Sequence, residues 1–230
     1  MKDYKNLSDK LNIKFTNIDL LKQALVHRSY LNEHHDFNIG HNERLEFLGD
    51  AVLEIIVTEH LYHKFPNTTE GVLTNWRASL VNSKMLYLVA DELDIESYLL
   101  LSKGEAKDKN KKSRQYILAN AVEAIIGVIY LDKGIKEANK FVEKYILSKL
   151  NDIIKNKAYI DPKSRFQEKS QELKGITPHY EILEEEGPDH DKLFKVGLYL
   201  KEELISIGKG SSKQEAQVDA AGAGLKLFNW

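Results

Sequence analysis

The chain has 230 residues, of which 42% are hydrophobic and 30% charged, with no cysteine and a formal net charge of -2; this suits one large or two modest globular domains and excludes disulfides and thiolate metal sites. The near-neutral balance excludes a uniformly basic field, so any nucleic-acid partner must be met by local patches. No apolar run approaches the ~18 residues of a membrane span and the opening MKDYKNLSDK lacks the apolar stretch of a secretory signal, so a cytoplasmic protein with no membrane partner is expected.

In chain order, the first stretch, to about residue 155, reads as helical. Ile18, Leu21, Leu25 and Val26 recur at helical spacing, as do Leu45, Leu48, Val52, Ile55 and Ile56. A long helix is predicted from Glu43 to about His63, ended by Phe65-Pro66. Thr68 or Thr69 then caps a helix running to Val81, and another covers Ser83–Asp94. Residues 103–114, KGEAKDKNKKSR, carry six basic side chains and almost nothing apolar, which predicts a loop or helix edge in water. Helices resume over Arg114–Leu131 and Ile135–Ile154.

The character changes near Asp161-Pro162. A helix at Ser164–Leu173 precedes a strand at His179–Leu183. Phe194, Val196, Leu198 and Leu200 then alternate as a half-buried strand does. GPDHD (Gly187–Asp191) is the turn between these strands, and a short strand at Leu204–Gly208 leads into a last helix ending at Phe228. The predicted fold is therefore an all-α domain over 1–156 followed by a small α+β domain, α-β-β-β-α, over 160–230. After residue 160 the chain carries 10 Lys+Arg against 13 Asp+Glu.

Glu43, Glu46 and Asp50 share one predicted helix. Glu46 and Asp50 differ by about 40° around the axis and ~6 Å along it, close enough to share one hard cation, whereas Glu43 sits ~10 Å from Asp50. A second helix carries Asn120 and Glu123 at i, i+3, and Glu70 stands near a helix start. Two readings stand. Helix acids ordinarily face water or pair with a base such as Arg44, and Glu70 suits a helix N-terminus by its charge alone. Against this, Glu46 and Asp50 are embedded among Leu45, Phe47, Leu48, Val52 and Leu53, and Glu123 lies in AVEAIIGVIYL. Carboxylates in such surroundings are costly unless paired or metal-bound. A carboxylate-held Mg²⁺ supports phosphodiester hydrolysis, by activating water and offsetting phosphate charge.

HNERLEFLGDAVLE (His41–Glu54) resembles the ribonuclease III signature nearly residue for residue. Glu70-Gly71, RASLVN (Arg77–Asn82) and ILANAVEAIIGVIYLDKG (Ile117–Gly134) follow in the family's order. RFQEKSQ (Arg165–Gln171), GPDHDKLFKV (Gly187–Val196) and GSSKQEAQVDAA (Gly210–Ala221) resemble a double-stranded-RNA-binding domain. The resemblance implies a ribonuclease III endonuclease fold, acting as a homodimer on double-stranded RNA with Mg²⁺ (Mn²⁺ substituting) and no small-molecule cofactor. It implies 5′-phosphate and 3′-hydroxyl ends with short 3′ overhangs, and a role in ribosomal and other RNA precursor processing. Carried over by motif, Glu46, Asp50, Asn120 and Glu123 are the metal ligands, with Asp50 and Glu123 catalytic. Glu43 and Glu70 flank the cleft, and Phe47 is the aromatic plugged into a partner subunit, although the residue pattern alone favours a core position for it.

Asn120 departs from the family, which usually has Asp there. Asn keeps a carbonyl oxygen but loses a charge, so a higher Mg²⁺ requirement is expected, with a non-catalytic double-stranded-RNA-binding protein as the alternative. In the second domain the resemblance assigns Gln167 and Gln171 to one minor groove, His190 to the next and Lys213 to phosphates. Gln214 and Gly222 stand where lysines are common, which implies fewer phosphate contacts. The basic run at 103–114 either compensates or is a solvated helix edge. His34, His35 and His41 cluster in a predicted loop and His60 and His63 sit one turn apart, without convincing further ligands for zinc.

Overall fold

The computed structural model describes residues 2–108, 110–155, 161–188 and 192–230. They form two compact units, Met1–Tyr159 and Ile160–Trp230.

Unit 1 is helical: α1 Tyr4–Leu11, α2 Ile18–Ala24, α3 Arg28–Leu31, α4 Glu43–Lys64, α5 Glu70–Val81, α6 Ser83–Glu92, α7 Lys103–Lys107, α8 Lys111–Lys133, α9 Ile135–Tyr145 and α10 Leu150–Lys155. Short side chains start many of them. Asp3, Asn17, Asn82, Ser102 and Asn110 each accept a hydrogen bond from a free backbone N–H in the first turn they precede. Thr69 precedes α5 without a side-chain cap. Of the stretch at 103–114, expected as a loop or helix edge in water, the described residues form α7 and the first turn of α8, exposed helical segments capped by Ser102 and Asn110.

α8 is the spine of this unit. Ile117, Leu118, Ala119, Ala121, Val122 and nearly every residue from Ala124 to Ile129 are buried, packed against α4, α6 and α2. Lys111–Lys133 holds no unbroken apolar run long enough for a membrane span, yet as a whole it reaches the length and mean hydropathy of one. Its apolarity is spent inside the unit, where 61% of the most apolar window is buried.

α4 and α8 meet backbone to backbone. A Cβ on Gly49 would lie 1.7 Å from the carbonyl oxygen of Glu123, and one on Gly127 would lie 2.4 Å from that of Leu45. Glycine mid-helix sacrifices roughly 1 kcal/mol relative to alanine; here it permits a helix crossing that any side chain would force open.

Unit 2 comprises α11 Pro162–Lys174, β1 His179–Glu186, β2 Leu193–Leu200, β3 Glu203–Gly210 and α12 Lys213–Phe228. The strands form an antiparallel sheet in the order β1-β2-β3. Phe194, Val196, Leu198 and Leu200 are buried, as the alternation predicts. Asp161 caps α11 with Pro162 in its first turn, and fully buried Phe166 anchors this helix in the core with Leu198, Ala220 and Leu225. Gly224, costly by helix propensity, is explained by packing: a Cβ there would press to 2.8 Å against Leu198 and Phe166. Gly222 faces open space and has no structural account.

Candidate active site

The α4–α8 crossing brings two pairs of polar side chains to one place. Glu46 and Asp50 project one turn apart from α4, and Asn120 and Glu123 three residues apart from α8. Because Gly49 touches the Glu123 carbonyl, the side chains either side of that contact cannot avoid each other. Glu43 is neutralised in part by Arg28 at 3.6 Å, and His41 Nδ1 accepts from its backbone N–H at 3.4 Å. The charges acting on Glu46 and Glu123 are other carboxylates. Burial, then Asp50 and Glu46, push the Glu123 carboxyl up to about 8. Glu46 is raised by burial, Glu43 and Asp50, while hydrogen bonding from the Asn120 amide opposes the rise.

This arrangement suits a hard divalent cation. Its donors are three carboxylates and one amide, all offering oxygen, which fits Mg²⁺ or Mn²⁺ rather than a soft metal. An Asn120 amide that donates N–H to Glu46 keeps its carbonyl oxygen for a cation. Like charges in a partly dry crevice hold apart, and among the described residues no three His, Asp or Glu are gathered tightly enough to hold an ion as they stand. A cation that relieved this repulsion would displace the proton that Glu123 otherwise keeps near neutral pH.

The other sequence candidates fall elsewhere. Glu70 lies in the first turn of α5, accepts a hydrogen bond from Thr74 Oγ1 at 2.9 Å, and is not among the charges acting on Glu46 or Glu123. It lines a cavity of about 570 Å³ with Tyr62, Phe65, Leu73 and Arg77. Phe47 is 81% exposed, so the core position that the residue pattern favours is wrong. Its place beside Glu46 on α4 turns it outward, as Ile55 and Tyr62 are turned at 57% and 69%. The residues that sequence reasoning missed are Gly49 and Gly127, whose signal was glycine inside a confidently helical pattern.

In unit 2, Gln167 and Gln171 are exposed on α11, and Gln171 Nε2 donates to Thr177 Oγ1 at 2.6 Å. Lys213 is the first residue of α12, where Ser212 caps Glu215 and leaves other first-turn N–H groups for an anion. His190 lies outside the described residues. Among the histidines, His34 stacks on Tyr30 at 3.8 Å and His60 and His63 line a second cavity of about 500 Å³.

Comparison with known proteins shows the family to which the two units are similar. The family model described as ribonuclease-III-like matches residues 17–150, and that of the double-stranded RNA binding motif matches residues 162–227. Ribonuclease 3 of Borreliella afzelii is 46% identical over 96% of this chain and 89% of its own length. Ribonuclease 3 of Enterococcus faecalis is 41% identical over 96% of this chain and 95% of its own. Among solved structures, the nuclease domain of ribonuclease III from Campylobacter jejuni superposes with a TM-score of 0.55 at 37% identity, covering 65% of this chain and 97% of that one.

Proposed function

The chain belongs to the ribonuclease III family, as an endoribonuclease with a double-stranded-RNA-binding motif, and from that premise we propose that Glu46, Asp50, Asn120 and Glu123 hold Mg²⁺ and hydrolyse the backbone of double-stranded RNA. The observation that carries the proposal is the pair of helices locked at Gly49 and Gly127, with Glu123 pushed up to about 8 by its neighbours. A bound Mg²⁺ supplies charge stabilisation to the phosphate and a water acidified for attack. Asp50 and Glu123 would orient the attacking water, and one of these two carboxylates would accept its proton. Attack at phosphorus would break the P–O3′ bond, and the departing O3′ would take a proton from solvent while the carboxylate gives its own back to water, leaving 5′-phosphate and 3′-hydroxyl ends. Glu46, held by the Asn120 amide, fixes the position of the site on α4. Glu43 flanks the cleft on α4, whereas Glu70, in the first turn of α5, stands apart from the four ligands and lines the cavity shared with Arg77. In unit 2, Gln167, Gln171, His190 and Lys213 track the minor grooves and phosphates of the duplex.

Two such sites acting on opposite strands of one duplex leave a short 3′ overhang, which makes a homodimer the working form. Support comes from exposed Phe47, which is large enough to seat in an apolar cavity such as that between Phe65 and Leu73. The nuclease domain of the Campylobacter jejuni relative has a region involved in dimer formation. On this reading the physiological substrates are duplex stretches of ribosomal and other RNA precursors in the cytoplasm.

The test is cleavage of a labelled RNA duplex across a Mg²⁺ titration, with Glu123→Ala as control. Short duplexes with 3′ overhangs from the wild type alone are expected. Binding without cutting at any Mg²⁺ or Mn²⁺ concentration would refute the catalytic assignment.

A further inference from the structure

Away from the α4–α8 crossing, unit 1 holds a cavity of about 650 Å³ built from α1, α2, α3 and the segments beside them, a size within the ~300–1,000 Å³ of small-molecule sites. None of its lining residues lies on α4 or α8, so what it binds is a separate matter from the Mg²⁺ reading. Its walls combine three chemistries: the rings of Tyr4, Tyr30 and Phe37, the ammoniums of Lys2 and Lys22, and the carboxylate of Asp19. Lys2 Nζ donates to the Leu99 carbonyl, and Lys22 Nζ lies 4.8 Å from the centre of the Phe37 ring. Neither contact neutralises the charge.

The Tyr4 phenol is the most informative group. Its oxygen is buried and, among the described residues, has no hydrogen-bond partner, whereas the phenol of Tyr98 donates to Asn6 Oδ1 at 2.7 Å. Burial, then Tyr30, push the Tyr4 phenol up to about 12, so it remains a donor. A buried donor without an acceptor is costly, and a ligand acceptor would complete it, with the small side-chain movements ordinary in binding. Burial also lowers the Lys2 ammonium, opposed by Glu96, and an anion would offset that cost. Tyr30 stacks on His34 at 3.8 Å and meets the edge of Phe37 at 5.2 Å. His34 does not line the cavity, so the opposite face of Tyr30 is left for a flat ring.

The mixture narrows the ligand. A wholly apolar molecule would strip water from three charges, and a polyanion would meet Asp19. A molecule with a flat ring, neighbouring hydroxyls and one anionic end satisfies all three wall chemistries. We propose that this cavity binds a mononucleotide, its base against Tyr30, its ribose hydroxyls at Asp19 and its phosphate held by Lys2 and Lys22. The frame is set beforehand. The Leu100 N–H donates to the Leu25 carbonyl at 2.8 Å, and the Leu100 carbonyl accepts from the His27 N–H at 3.0 Å. Asp3 and Asn17 cap the helices that carry Tyr4 and Lys22. A site fixed before its ligand arrives loses little freedom on binding.

The test is calorimetric titration of the full chain with adenosine 5′-monophosphate, adenosine and inorganic phosphate, in chelator and about 150 mM KCl, which damps loose attraction of phosphate to exposed lysines elsewhere. The nucleotide is expected to bind with a dissociation constant below about 1 mM, and adenosine and phosphate each at least about tenfold more weakly. Lys22→Gln and Tyr4→Phe should each weaken the nucleotide on the order of tenfold, while Lys136→Gln on α9 leaves it unchanged. Because the Tyr4 hydroxyl lacks a partner in the free protein, Tyr4→Phe should melt at or above the wild type, which separates a lost ligand contact from a lost fold. Absence of saturable binding up to about 5 mM overturns the proposal, as does nucleotide binding that neither Lys22→Gln nor Tyr4→Phe alters. Adenosine binding as tightly as the nucleotide removes the lysines from the site, and phosphate doing so leaves a simple anion site; either result overturns it too. A chain that never cuts RNA with Mg²⁺ overturns the catalytic reading instead and leaves these titrations to decide this one.

Discussion

Glu123→Gln should abolish cleavage and yet stabilise the metal-free protein at alkaline pH. In the folded chain the Glu123 carboxyl sits at about 8, above its ordinary 4.5. The folded state therefore prefers the protonated acid. The stability this group permits is fully present below about pH 4.5 and is lost as pH rises through about 8. At roughly 1.4 kcal/mol per pH unit the loss is bounded at about 5 kcal/mol. Glu123 is partly open to solvent, and screening reduces the figure to about 2–3 kcal/mol. Glutamine holds the shape of the protonated acid at every pH. In chelator at pH 8.5 the helical unit of the variant should melt about 5–10 °C above the wild type, while near pH 4.5 the two should coincide. Mg²⁺ at pH 8.5 should raise the wild-type transition much more than that of the variant. Thermal melts followed by circular dichroism across pH supply the assay. A variant that melts at or below the wild type in chelator at pH 8.5 would refute the claim that carboxylate crowding governs the site.

Other outcomes follow from the same geometry. Gly49→Ala gains about 1 kcal/mol of helix propensity, but its methyl would lie 1.7 Å from a carbonyl oxygen. A net loss of about 2–3 kcal/mol is expected in denaturant titration, with activity down on the order of a hundredfold; wild-type stability would contradict the contact. Phe47→Ser, at an 81% exposed position, should change monomer stability by no more than about 0.5 kcal/mol while weakening self-association by about 2 kcal/mol, read by analytical ultracentrifugation. An unchanged dimer constant would remove Phe47 from the interface. Asn120→Asp adds a carboxylate, so the Mg²⁺ midpoint for cleavage should fall several-fold; a midpoint that rises would show that the amide's hydrogen bond to Glu46 outweighs its missing charge.

Much of this was legible in the residues. The α4 pattern and its end at Phe65-Pro66 follow from periodicity and proline, and the alternation of Phe194–Leu200 gave the central strand of unit 2. The pairing of Glu46 and Asp50 follows from helical spacing. That Glu123 would join them did not, because spacing along one helix says nothing of which helix it crosses. Gly49 and Gly127 carried that information, but a glycine in a helix announces close approach without naming its partner. Phe47 misled for a related reason: an aromatic in an apolar run is ordinarily core, and only the direction in which α4 turns its acid face shows it to be outside. The basic segment after Ser102 left loop and helix edge open because its side chains shun the core; the caps at Ser102 and Asn110 make it helix edge.

The contact at Gly49 and Gly127 acts as a mechanical stop. Two helices whose backbones already touch cannot come closer, and the buried faces on either side keep them from parting. The gap between the acids of α4 and those of α8 is then set by the van der Waals radii of the touching backbones rather than by how well the surrounding core is filled. Weakening that core elsewhere, at Leu86 or Val142 for example, both fully buried, should reduce the fraction of folded molecules while each folded molecule keeps its reactive geometry. Variation in the core would then be felt as abundance rather than as catalytic rate.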